Sequence, residues 1–183
     1  SMNRYPVVGE EITVETSLGG CEKVFMKRRF KIMDKDGCII GRALLYYLML
    51  DIKNRFPQKP SACPVDIDMN ADDIVDNKLN KIKMSEEAIE TINRSIYYND
   101  IDINNHVNNA RYLCFVEDFF SLDWHRNSDI SYMQINFIKE IKHDDYLQMN
   151  KYVEDEENKI YCISGTSEES KHEFFQCRVK FSK

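Results

Sequence analysis

The stretch "NNARYLCFVEDFFSL", residues 108–122, decides how the rest of the chain is read. Its apolar residues come with few polar gaps, as in a helix buried on most sides rather than one with a single wet face. About 14 helical residues would make a rod about 21 Å long. Four alternating runs follow it, near 131–141, 145–154, 159–167 and 172–182, parted by the turn signals "DEEN" and "EESK". In the last, Phe175, Cys177, Val179 and Phe181 face one way, and Gln176, Arg178, Lys180 and Ser182 the other. Ahead of the rod, "RSIYYNDIDI" (94–103) reads as a further strand. Residues 94–183 therefore read as one α+β domain, a long helix covered by an antiparallel sheet.

Upstream, "EITVET" (11–16) alternates as a strand and "SLGG" supplies a turn. "EKVFMKRRFKIM" (22–33) puts Val24, Met26, Phe30 and Ile32 on one side and Lys27, Arg29 and Lys31 on the other. A basic row of this kind suits an acidic partner, although a solvated sheet face is the better explanation, since charge runs usually need no partner. "DKDG" (34–37) is a hairpin turn. The apolar run "CIIGRALLYYLMLDI" (38–52) fits a strand or a helix, and the hairpin before it favours a strand. Pro57, Pro60 and Pro64, then the acidic run "DIDMNADDIVDNKLNK", mark a change of composition. The expected organisation is an N-terminal unit of strands at 1–56, a linker at 57–93 and a complete domain at 94–183.

The net charge of −6 gives no reason to expect a nucleic-acid or membrane partner. Six cysteines lie scattered without any CxxC pair, which favours free thiols and a cytoplasmic setting. No nucleotide-binding glycine motif and no GxSxG is present. The histidines have no metal-ligand spacing, and the "HDD" at 143–145 falls at an expected turn, so neither a metal nor a cofactor is expected.

The turn into the rod, "NDIDINNHVNNARY" (99–112), holds five asparagines and two aspartates. Read as an extended segment, it places Asp102, Asn104 and His106 on one side, with Ile101, Ile103 and Val107 toward the core. That polar row would end where the first amides and the positive dipole end of the helix point outward. Capping alone accounts for such residue types, so the spacing leaves two readings open: a helix start, or a helix start that is also a site.

"DIDINNHVNNARYLCF" resembles the signature D-x-N-x-H-V-N-N-x-x-Y of the acyl-acyl carrier protein thioesterases. "RYPVVGEEITVET" and "GCIIGRALLYYLML" resemble the middle and end of that family's first domain. The resemblance implies two hotdog folds, each a long helix wrapped by an antiparallel sheet, here one complete hotdog and a partial N-terminal one. It implies hydrolysis of the thioester between a fatty acyl chain and the phosphopantetheine of an acyl carrier protein. It also implies catalytic roles for Asp102, Asn104, His106 and Glu140 of "NFIKEI", with Val107, Asn108 and Asn109 beside the substrate. Where plant members carry a cysteine, this chain has Ile141, so a carboxylate has to do the work of a thiol there.

Alternation along "SYMQINFIKE" sets Glu140 with Gln134 and Asn136 on the solvent side, in tension with that role. The family's strand and long helix before "RYPVVGEE" have no counterpart in this sequence, which leaves an apolar sheet face to be covered: either the sequence is a piece of a longer chain, or the half-domain packs on the second hotdog or on another copy, and a homodimer or higher homo-oligomer is the expectation. Two other functions remain open: a hotdog thioesterase acting on acyl-coenzyme A, and a non-catalytic acyl-carrier-binding protein.

Overall fold

The computed structural model describes residues 1–51, 53–54, 56–62 and 79–182. They fall into two compact units, Ser1–Lys78 and Leu79–Lys183. Residues 63–78 of the expected linker lie outside the described residues, as does Cys63, while 79–93 belong to the second unit.

The first unit is an antiparallel sheet of β1 (Ile12–Glu22), β2 (Phe25–Asp34), β3 (Ile39–Leu50) and the two-residue β4 (Pro57–Gln58), in that order. "SLGG" is not the turn the sequence suggested. Strand β1 runs through it and absorbs an irregularity between Leu18 and Cys21, where Gly20 takes φ +77°. The reversal comes instead at Lys23, with φ 57°. The β2–β3 turn is the expected one: Asp34 Oδ1 accepts the amides of Asp36 and Cys38, and Gly37 takes φ +78°.

Cross-strand register answers two cations of the basic row from within the sheet. Lys31 sits opposite Glu15, with its Nζ 3.2 Å from the carboxylate. Lys27 reaches Glu22 at 3.1 Å and lies over the Tyr46 ring. The other face carries Val14, Phe30, Ile32 and Leu45, with Arg28 donating to Thr16 among them. Val14 is 56 % exposed, and no α-helix covers this face among the described residues of the unit.

The second unit is a five-stranded antiparallel sheet around a short helix. Its elements are β5 (Glu90–Ser95), α1 (Asn109–Glu117), α2 (Leu122–Asn127), β6 (Asp129–Phe137), β7 (Tyr146–Asp155), β8 (Ile160–Ser167) and β9 (Glu173–Ser182), with sheet order β5-β7-β8-β9-β6. Strands β7, β8 and β9 fall within a residue of the runs read from sequence. On β9, Phe175, Cys177, Val179 and Phe181 turn into the core beside Leu147, Met149 and Ile163, and meet Tyr112, Phe115 and Val116 of α1. Gly165 of β8 sits opposite Phe175, and a Cβ there would fall 2.1 Å from the phenylalanine ring. Only glycine leaves room for that ring.

Three expectations change. The rod is shorter: α1 has nine residues, and Ser121 accepts the Trp124 amide to start a separate α2. A serine cap inside an apolar run divides what hydrophobicity reads as one helix. The strand ahead of the helix is Glu90–Ser95 rather than 94–103, because Tyr98–Asp100 tightens into a single 3-10 turn. Gln134 is buried rather than solvated, since its Nε2 donates to the Asn80 carbonyl at 2.8 Å. Ser85 Oγ bonds the Val153 carbonyl and Ile82 is buried, so 79–85 crosses the outer face of the sheet from β6 to β7.

Candidate active site

The Asn-rich segment is a tight loop, not an extended row. A bridge between Ile101 and Val107 closes its base, and Asp102 exchanges backbone contacts with Asn105 and His106. Asn105 takes φ 63°, the left-handed region that asparagine tolerates better than most side chains. Asp102 Oδ1 accepts the Asn104 amide at 2.8 Å, and Asn104 Nδ2 approaches Oδ2 at 3.4 Å. The turn sends Ile103 outward, 98 % exposed, against the expectation that it faces the core. Val107 is buried as expected. Asn108 caps α1 by accepting the Ala110 amide at 2.9 Å, which leaves Asn109 as the first helical residue.

The loop is held from beneath by a group the sequence reading passed over. Asp100 is 1 % exposed, and its carboxylate takes Arg94 at 3.0 Å, Arg111 at 2.8 Å and the Tyr97 amide at 3.0 Å. Its carbonyl accepts the Asn108 amide, and Arg94 stacks over Phe115 with 3.9 Å to the ring centre. Burial opposes charge on Asp100, but the Tyr97 amide and the two guanidinium groups prevail and hold its carboxyl below the usual carboxylate range. Basic residues at positions −6 and +11 from a buried aspartate follow no periodicity, so only the Asp-rich composition hinted at this clasp.

Glu140 reaches the loop because β6 ends early. Strand alternation stops at Phe137, and the amides of Ile138 and Lys139 both bond the single carbonyl of Phe174, at 2.8 and 3.1 Å. This kink removes the face assignment that had set Glu140 with Gln134. The next residue, Ile141, is fully buried, and its carbonyl accepts the Val107 amide at 2.8 Å. The backbone just after Glu140 is thereby tied to the backbone just after His106.

Between them lies a cavity of about 160 Å³ lined by His106, Val107, Asn109, Tyr112, Glu140 and the 137–139 segment. His106 and the exposed Glu140 therefore line one cavity, with Val107 and Asn109 beside them. Asp102 stands behind His106, its Oδ1 3.7 Å from Nδ1, longer than a hydrogen bond. Burial works against the charge of Asp102, yet the Asn104 hydrogen bonds and the imidazole beside it keep its carboxyl below the ordinary range. Asn104 contacts Asp102 and is not among the residues lining the cavity.

A short helix start facing a carboxylate and an imidazole, on a helix wrapped by an antiparallel sheet, defines a protein of the hotdog class. Residues 82–183 match the acyl-ACP thioesterase C-terminal domain and residues 1–66 the N-terminal domain, so the chain belongs to the acyl-ACP thioesterase family. It is 31 % identical over 123 residues to "Acyl-[acyl-carrier-protein] hydrolase FATB2, chloroplastic" of Cuphea viscosissima, covering 63 % of this chain and 30 % of that protein. Against "Palmitoyl-acyl carrier protein thioesterase, chloroplastic" of Gossypium hirsutum the identity is 24 % over 162 residues, covering 84 % of this chain and 39 % of that one. The chain thus spans less than half the length of these relatives. Among solved structures, an acyl-ACP thioesterase from Bacteroides thetaiotaomicron superposes with a TM-score of 0.79 at 23 % identity, over 99 % of this chain and 72 % of that one. The 12:0-ACP thioesterase from Umbellularia californica gives 0.77 at 21 %, over 99 % and 71 %. Both likenesses show the hotdog fold. No helix among the described residues is long and apolar enough to cross a membrane.

Proposed function

We propose that this chain hydrolyses the thioester of a fatty acyl-acyl carrier protein and releases a free fatty acid. The observation that carries this reading is the meeting of His106, Asn109 and Glu140 around one cavity at the start of α1. Glu140 acts as general base on a water molecule, whose oxygen attacks the thioester carbonyl carbon. The negative charge that develops on the carbonyl oxygen is held by the Asn109 amide at the positive end of α1. As the tetrahedral intermediate collapses, the C–S bond breaks and the sulfur takes the proton that Glu140 had accepted. The products are the fatty acid and the free thiol of the carrier. His106 orients the water and the carbonyl; Asp102, braced by Asn104, orients His106. Val107 forms the apolar floor, and Asn108 sets the direction of the helix amides.

The cavity, about 160 Å³, has room for the reacting ester but not for a whole fatty acyl chain. The bulk of a fatty acyl chain has to lie elsewhere. The exposed apolar face of the first unit supports self-association, in which that face is covered by a second copy. The five described cysteines are free, which suits a reducing compartment such as the cytoplasm.

Hydrolysis of acyl-carrier and acyl-coenzyme A substrates, compared over several chain lengths, tests the assignment. Turnover of carrier thioesters well above the coenzyme A esters is expected. A preference for coenzyme A esters, or binding of the carrier without any turnover, would replace this reading.

A further inference from the structure

We propose that the phenol of Tyr112 donates a hydrogen bond to the carbonyl oxygen of the bound thioester, a second donor beside the Asn109 amide; the role rests on the hydrolase reading above. Tyr112 follows Asn109 by three residues on α1, so the two share a helix face, and both line the cavity. Its ring is fixed by packing, not by ligand. Tyr112 is 3 % exposed and meets Phe137 and Phe175 edge to face, with ring centres 5.0 and 5.1 Å away.

A phenol carries one proton to give and oxygen lone pairs to receive. The polar space beside the ring is the cavity that Glu140 and Asn109 also line, so an O–H rotated into it meets the bound ester. Burial, with the nearby carboxylates of Glu140 and Asp145, pushes the Tyr112 hydroxyl up to about 12, so it keeps its proton at neutral pH and can donate it in a hydrogen bond.

Two acceptors compete for that O–H once substrate is bound: the Glu140 carboxylate and the thioester carbonyl. Glu140 has to keep its lone pairs for the attacking water, whereas the carbonyl oxygen gains negative charge as the bond to water forms. A donor aimed at that oxygen strengthens through the reaction and lowers the barrier. No proton is transferred from Tyr112 at any step.

Tyr112→Phe preserves the ring and its packing and removes only the hydroxyl. With acyl-carrier substrate the variant should lose about 10²- to 10³-fold in kcat, with KM changed less than about twofold and the melting temperature unchanged. A packing role alone would leave kcat unchanged, since the ring and its contacts are kept. A second readout needs no turnover: an amide analogue of acyl-phosphopantetheine, labelled with 13C at the carbonyl. Bound to the unaltered protein, its carbonyl resonance should move downfield, and in Tyr112→Phe the analogue should bind with that displacement reduced. Equal kcat and equal displacement in the two proteins would overturn the proposal, as would failure of the unaltered protein to bind the analogue. A protein that binds the analogue but hydrolyses no thioester refutes the hydrolase reading alone, and the carbonyl shift still decides the contact to Tyr112.

Discussion

Asn105, at φ 63°, is the residue that bends the segment before α1 back on itself. Left-handed backbone costs most L-residues about 1–2 kcal/mol and glycine almost nothing. Asn105→Gly should therefore keep the melting temperature, and Asn105→Val should lower stability by about 1–2 kcal/mol in denaturant titration. The other asparagines of the cluster serve different ends: Asn104 braces Asp102, and Asn108 caps the helix. Sequence alone placed these residues at a helix start but read the approach as extended, because period-two spacing does not reveal a turn made inside it. Beneath the loop, Asp100 neutralises two arginines in a buried clasp. Asp100→Asn should cost about 3 kcal/mol, the low end for a broken buried pair, since Arg111 keeps access to water. The pH dependence has a definite sign. Because the folded state holds the Asp100 carboxyl below its unfolded value, its contribution is complete above about pH 4 and fades as the pH falls through the depressed folded value. Acid unfolding followed by circular dichroism should show a shallower loss below pH 4 in Asp100→Asn than in the unaltered chain.

Among the elements, the β8–β9 pair is the most exacting. Gly165 gives its place to the Phe175 ring, so Gly165→Ala forces one of two adjacent strands to move. A loss of about 1–3 kcal/mol is expected from thermal unfolding. At the end of α1 the constraint is a cap: Ser121→Ala should cost about 1 kcal/mol and loosen α2. These elements also show what a sequence discloses. The alternation on β9 was plain because one face is buried along its whole length. The division of the apolar run into α1 and α2 was not, since one serine hydroxyl decides it and composition averages that away. Glu140 is exposed, as its alternation suggested, but the alternation missed the cavity beside it: two amides sharing the Phe174 carbonyl end the strand at Phe137, four residues before the end of the run read from sequence.

For the molecule as a whole, the two units contribute unequally. The Leu79–Lys183 unit carries its own core and all the residues assigned to chemistry, while the Ser1–Lys78 unit presents a sheet with an apolar face open to solvent. Self-association predicts a mass above that of one chain in light scattering at micromolar concentration. A strictly monomeric species would contradict it. The fold class and the residues around the helix start were legible in the sequence through the dense motif at 102–112. The clasp under Asp100 was not, because its partners are brought together only by the 3-10 turn and α1; Tyr112 closes that motif, but its place in the cavity shows only once the sheet packs around it.

The most direct test is single-turnover release of fatty acid from an acyl-carrier thioester by the unaltered chain and by Glu140→Gln, with melting temperatures measured alongside. Rapid release by the first, and release slower by at least about 10²-fold by an equally stable second, is the predicted result. Equal rates in the two proteins would contradict the role given to Glu140, and no release by either would contradict the hydrolase itself.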